Sequence, residues 1–97
     1  MVDVNSGNKV DASVDAETNA LNVNINAARE VARQMRLRDM GGITVIDFID
    51  MRNPANKKKV FEEMQGFMKG DRAKHTILPL TKFNLMQITR QRVRPET

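Results

Sequence analysis

One segment narrows the possibilities more than any other: Ile43-Thr44-Val45-Ile46-Asp47-Phe48-Ile49, a nearly all-apolar, β-branched run broken by a single charge. Such a run reads as a strand buried on both faces, of the kind found in a parallel sheet covered by helices. The flanks agree. From about Asn19 to Arg38, Leu21, Ile25, Ala28, Ala32 and Met35 recur at steps of 4, 3, 4 and 3, one apolar stripe of a helix. Thr18 or Asn19 can cap its start, and Gly41-Gly42 is expected to stop it. On the other side, Asn53-Pro54 is a cap followed by proline in the first turn. That helix is expected to reach Lys69, burying Val60, Phe61, Met64, Phe67 and Met68, and to end at Gly70.

The remaining elements are shorter. Met1–Asn5 alternates, with Val2 and Val4 on one face and Asp3 and Asn5 on the other, as a strand fragment does. Ser6–Thr18 is polar and reads as a loop. Thr76–Leu80 and Leu85–Arg92 read as third and fourth strands. The order β-α-β-α-β-β implies an α/β fold: a small, mostly parallel sheet with two main helices, right-handed crossovers and a hairpin-like final strand. A strand that opens at the first residue is unusual, so the chain is read as a piece of a longer domain. A sheet edge left open by such a cut would favour self-association.

Composition excludes several classes. At 97 residues the chain forms one domain, and such a domain buries only roughly 60–65 % of its unfolded surface. It has no cysteine, hence no disulfide and no thiolate metal site. No apolar run approaches the roughly 20 residues of a membrane span, and no signal pattern is present, so a cytoplasmic protein is expected. A net charge of +4 permits a polyanionic partner without demanding one. Four phenylalanines, with neither tyrosine nor tryptophan, argue against a platform of several base-stacking rings. Phosphate contacts should dominate any binding of nucleic acid.

Asp47 is the residue with most to say about chemistry. A carboxylate within an apolar strand is costly to bury without compensation. The topology places it near the carboxyl end of the second strand, where open α/β sheets hold ligands. Asp3 lies near the end of the first, and a β-α-β unit can make those strands neighbours. Two adjacent carboxylates repel, and a hard divalent cation such as magnesium removes the repulsion while keeping waters for a phosphate to displace. Asn5, two residues beyond Asp3, could orient a metal-bound carboxylate. The plainer readings stay open: Asp47 pairs with an arginine or caps a turn, Asp3 is a solvated end residue, and Asn5 is a turn asparagine. Asp50 is an outer ligand or an ordinary loop aspartate.

Two basic sets stand out. Arg90, Arg92 and Arg94 alternate and can line one face of the last strand, an arrangement that suits a phosphate backbone. Arg29, Arg33 and Arg36 share a helix face that reads first as solvated surface, as does Lys57-Lys58-Lys59. His75, the lone histidine, reads as surface beside a strand.

The blocks Asp3-Val4-Asn5-Ser6-Gly7, Arg33 through Gly42, Val45-Ile46-Asp47-Phe48-Ile49-Asp50-Met51, Asp71-Arg72-Ala73-Lys74 and Thr89 through Pro95 together resemble the RNase E/G family of bacterial endoribonucleases, across essentially the whole chain. The resemblance implies that residues 1–97 are the DNase I-like catalytic subdomain of a larger enzyme. It implies that Asp3 and Asp47 bind a catalytic Mg2+, for which Mn2+ could substitute, with Asn5 in support. The implied reaction is hydrolysis of single-stranded RNA to 5′-phosphate and 3′-hydroxyl ends, in an enzyme that is a homo-oligomer. Lys74 stands where some relatives carry an arginine associated with sensing the RNA 5′-phosphate. Thr81-Lys82-Phe83-Asn84 replaces a block that the family usually writes as arginine or serine, then arginine, phenylalanine and glycine. Two other classes compete: a receiver-type phosphoacceptor domain, which Asp47–Met51 loosely echoes, and a non-catalytic RNA-binding or scaffolding module.

Overall fold

The computed structural model describes residues 2–3 and 16–93. In chain order these form β1 (Val2–Asp3), α1 (Ala16–Leu37), β2 (Gly42–Asp47), α2 (Pro54–Met68), β3 (His75–Ile77) and β4 (Leu85–Arg90). The sheet order is β1-β2-β4-β3. Only β1 and β2 pair in parallel; β2 with β4 and β4 with β3 are antiparallel. The expected α/β fold with a mostly parallel sheet is therefore wrong, and the domain is α+β, with β2-β4-β3 as its antiparallel sheet.

The reason lies in strand order, not in the crossovers. β2 and β3 do run the same way, as a helical connection between them requires, but β4 folds back and inserts between them. Two strands that read as parallel neighbours are thus separated by a third.

Both helices cover one face of this sheet. Ile46, Met86 and Ile88 from the strands, together with Phe48, share one core with Ala20, Ala28, Ala32 and Met35 of α1 and Val60, Met64 and Met68 of α2. Alternation sends the other residues of β2 and β4 to the opposite face. Ile43 there is 67 % exposed, and Val45, Asp47 and Leu85 are half-buried. So β2 is not a strand buried on both faces. Its apolar run mixes core residues with residues of a face that no described element covers.

α2 starts as its residues dictate: the Asn53 side chain accepts from the Ala55 N–H at 2.9 Å, and Pro54 occupies the first turn. α1 ends at Leu37, before the expected glycines are reached. Asp39 adopts φ 48°, and the Met40 N–H donates to the Met35 carbonyl at 2.9 Å, closing the last turn in the manner usually left to glycine. The buried stripe of α1 is also displaced from the expected one: Ala20 and Asn24 are buried, and Leu21 and Ile25 lie at its flank.

Candidate functional site

Asp3 of β1 and Asp47 of β2 are register partners in the parallel pair. The two strands therefore carry both candidate acidic positions at one level of the sheet, on backbones about 4.8 Å apart. Asp47 is half-buried on the face away from the helices, and no hydrogen-bond donor or cation among the described residues engages its carboxylate. The cost of deep burial, which makes Asp47 conspicuous in the sequence, does not arise. Asn5 lies outside the described residues.

The segment after Asp47 is irregular but held firmly. The Phe48 N–H donates to the Asn84 carbonyl at 3.0 Å. The Ile49 N–H donates to Asn24 Oδ1 at 2.9 Å, and Asn24 Nδ2 returns a bond to the Ile49 carbonyl at 3.0 Å. The Met51 N–H reaches Asn84 Oδ1 at 3.3 Å. Arg52 and Asn53 donate their N–H groups to Glu17 at 3.2 and 2.9 Å. The Asn53 N–H, followed by the Asn56 side chain, holds the Glu17 carboxyl below the usual range. Side chains thus bond the backbone of a segment that pairs with no strand among the described residues. Asp50 is exposed on this segment and accepts a long bond, 3.4 Å, from Asn84 Nδ2.

Asn84 explains the departure at Thr81–Asn84. It is buried and sits at φ 61°, a conformation that asparagine tolerates better than most residues and glycine adopts freely. It therefore keeps the turn while adding the side-chain bonds that anchor Asp50 and Met51.

The basic residues singled out in the sequence lie elsewhere. Asp47 pairs with Leu85, whereas Gly42, at the other end of β2, pairs with Arg90; five residues of strand separate those ends, roughly 17 Å. Arg90 belongs to the buried interior. Its side chain is 2 % exposed and donates to Asp71 at 2.7 and 3.0 Å, to Asp39 at 3.0 Å and to the Met40 carbonyl at 3.0 Å. Hydrogen bonding from Arg90 holds the Asp71 carboxyl below the usual aspartate range, and Asp71 in turn shifts the guanidinium upward. Arg90 thus ties the ends of α1 and α2 to the sheet, and its side chain faces inward, unlike the exposed side chain of Arg92. Arg92 and Lys74 are exposed at this same end, with Arg92 packed against Gly41; Arg94 lies outside the described residues. The helical set is also engaged. Arg33 pairs with Glu30 at 3.0 Å, Arg36 donates to the Phe67 carbonyl at 2.6 Å, and Arg29 lies over the Phe67 ring.

Near the Asp47 end the fold gathers cations that no sequence pattern joins: Arg52, Lys57 and Lys82 line one cleft with Asp50 and Phe83. No periodicity links them, since they come from a loop, a helix and a turn.

Residues 1–93 match the Ribonuclease E/G family, and the chain belongs to that family. It is 45 % identical over 95 residues to the Ribonuclease E/G-like protein, chloroplastic, of Arabidopsis thaliana, covering 97 % of this chain and 10 % of that protein. It is 40 % identical over 94 residues to ribonuclease E of Escherichia coli, covering 97 % and 9 %. Ribonuclease G of Salmonella typhimurium is 38 % identical over 93 residues, covering 96 % and 19 %. The chain thus spans a small part of the length of these relatives. No helix among the described residues is long and apolar enough to cross a membrane.

Proposed function

We propose that this chain is the segment of an RNase E/G-type endoribonuclease that carries its metal-binding carboxylates, acting on single-stranded RNA to leave 5′-phosphate and 3′-hydroxyl ends. The observation that carries the reading is the Asp3–Asp47 register. A half-exposed carboxylate with no described partner, level with a second acidic position on the next strand, has the chemistry of a Mg2+ or Mn2+ site that keeps its waters. The bound ion would supply a Lewis acid for the scissile phosphate and lower the pKa of an attacking water. The backbone around Asp47 supports this reading. The bonds from Asn24, Asn84 and Glu17 fix the backbone beyond Asp47, and Asp50 stands exposed on the same segment. No side-chain nucleophile is required.

The receiver-type alternative needs a parallel sheet of about five β-α units, and the inserted antiparallel β4 removes that frame. The test of the metal reading is calorimetric titration of Mn2+ and Mg2+ into the chain and into Asp3→Asn and Asp47→Asn. Each substitution is expected to weaken binding at least tenfold, and isotherms identical to those of the unsubstituted chain would overturn the reading.

A further inference from the structure

Phe83 is the most exposed phenylalanine among the described residues, at 66 %, and it stands in a tight turn where an apolar ring gains nothing from the core. Its surroundings are cationic. Lys82 Nζ lies 5.2 Å from the ring centroid, and Arg52 and Lys57 line the same cleft, of about 410 Å³. Asp50 is the one acid on that lining, and its carboxylate receives the Asn84 amide. The turn is braced by bonds to Thr81 Oγ1 from the Phe83 and Leu85 N–H groups, at 3.2 and 3.3 Å, and by the Lys57 ammonium on the Lys82 carbonyl at 3.5 Å. A ring held out into solvent on a braced turn, with cations around it, is complementary to a nucleotide: a planar base for the ring and a phosphate for the charges.

We propose that the cleft between Phe83, Lys82, Lys57 and Arg52 binds one nucleotide of a single-stranded RNA, its base stacked on Phe83 and its phosphate held by the cations. The inference rests on the proposed action on RNA and adds a site to it. Leu85, two residues beyond Phe83, is the register partner of Asp47, which puts the Phe83 and Asp47 backbones within roughly 12 Å. One strand of RNA can reach both. The cleft would then fix a nucleotide close to the bond to be cut. The sparse aromatic content argues against a platform of several rings, and this is a single ring.

The test is amide and aromatic NMR of the chain in EDTA, titrated with eight-nucleotide single-stranded oligouridylate and oligoadenylate, and with the matching abasic ribose-phosphate oligomer. The expected result has shifts centred on residues 50–52 and 81–85, with the Phe83 ring resonances displaced. Phe83→Leu should weaken the base-containing oligomers about tenfold and leave the abasic one unchanged. Lys82→Ala should weaken both kinds. Both side chains are exposed, and an unchanged amide spectrum elsewhere establishes that each variant folds. Equal affinity of Phe83→Leu and the unsubstituted chain, shifts centred on Lys74 and Arg92, or no binding at millimolar RNA would each overturn the proposal. Because metal is absent, failure here is separate from failure of the Asp3–Asp47 site.

Discussion

The side chain of Asn24, on the buried stripe of α1, exchanges two hydrogen bonds with the backbone of Ile49, accepting at 2.9 Å and donating at 3.0 Å. An amide in mid-helix thereby does for Ile49 what an adjacent strand would do. Replacement by alanine or by leucine of similar size should cost about 2–3 kcal/mol, since both bonds go and two backbone groups lose their partners away from water. Urea denaturation measures it. Asn24→Asp, which sets an unpaired carboxylate against the Ile49 carbonyl at a fully buried position, should cost at least as much at pH 7. Equal stability of Asn24→Leu and the unsubstituted chain would show that Ile49 finds other partners.

Asp71 and Arg90 predict an acid-labile fold. Arg90 lowers the folded-state value of Asp71 below its unfolded value of about 3.9. The contribution is therefore complete above that unfolded value, and it is lost as pH falls through the lower folded one. Both side chains are nearly fully buried. Asp71→Asn should lower stability at pH 7 by about 3 kcal/mol, because it leaves a buried guanidinium short of a charge partner. It should also flatten the decline in stability at pH values below about 4. Urea melts of both proteins at neutral and strongly acid pH provide the comparison; parallel declines would assign the acid sensitivity to another group.

Asn84 separates conformation from hydrogen bonding. Alanine at φ 61° carries about 1–2 kcal/mol of backbone strain and loses the bond to the Met51 N–H. Glycine loses the bond and carries no such strain. The expected order of melting temperature is asparagine, then glycine, then alanine. Alanine equal to glycine would mean that the turn relaxes out of the left-handed region.

In isolation the chain should have little activity. It carries the Asp3 and Asp47 positions and the cleft at Phe83, but spans only 9 % of its Escherichia coli relative. Purified alone, it should cleave a fluorescent single-stranded RNA in Mg2+ at a barely detectable rate. Rapid cleavage, abolished by Asp47→Asn, would show that the gripping surface is already complete within these residues.

Both helices are legible in the residues, because caps such as Asn53-Pro54 and a 3.6-residue stripe are local signals. The Asp3–Asp47 neighbourhood follows from a β-α-β unit that does close in parallel. The place of β4 cannot be read, because no local pattern says which strand inserts between which. Ile43 and Val45 look like core because they are apolar, yet they share with Asp47 the face away from the helices. Asn24 has no local signal that marks it, since its partner lies 25 residues away. Arg90 alternates with Arg92 as a surface stripe would, and only the tertiary approach of Asp39 and Asp71 draws it inward.

The face on which Asp47 sits, away from both helices, has a consequence for how the chain tolerates change. Its neighbours in the chain, Ile46 and Phe48, belong to the core, and Asp47 does not. A lesion at Asp47 should therefore be silent to folding, and the altered protein would accumulate at normal abundance. An exchange at Ile46, by contrast, would open a cavity in the core and lower abundance through instability, so the two adjacent positions separate what the strand builds from what it displays.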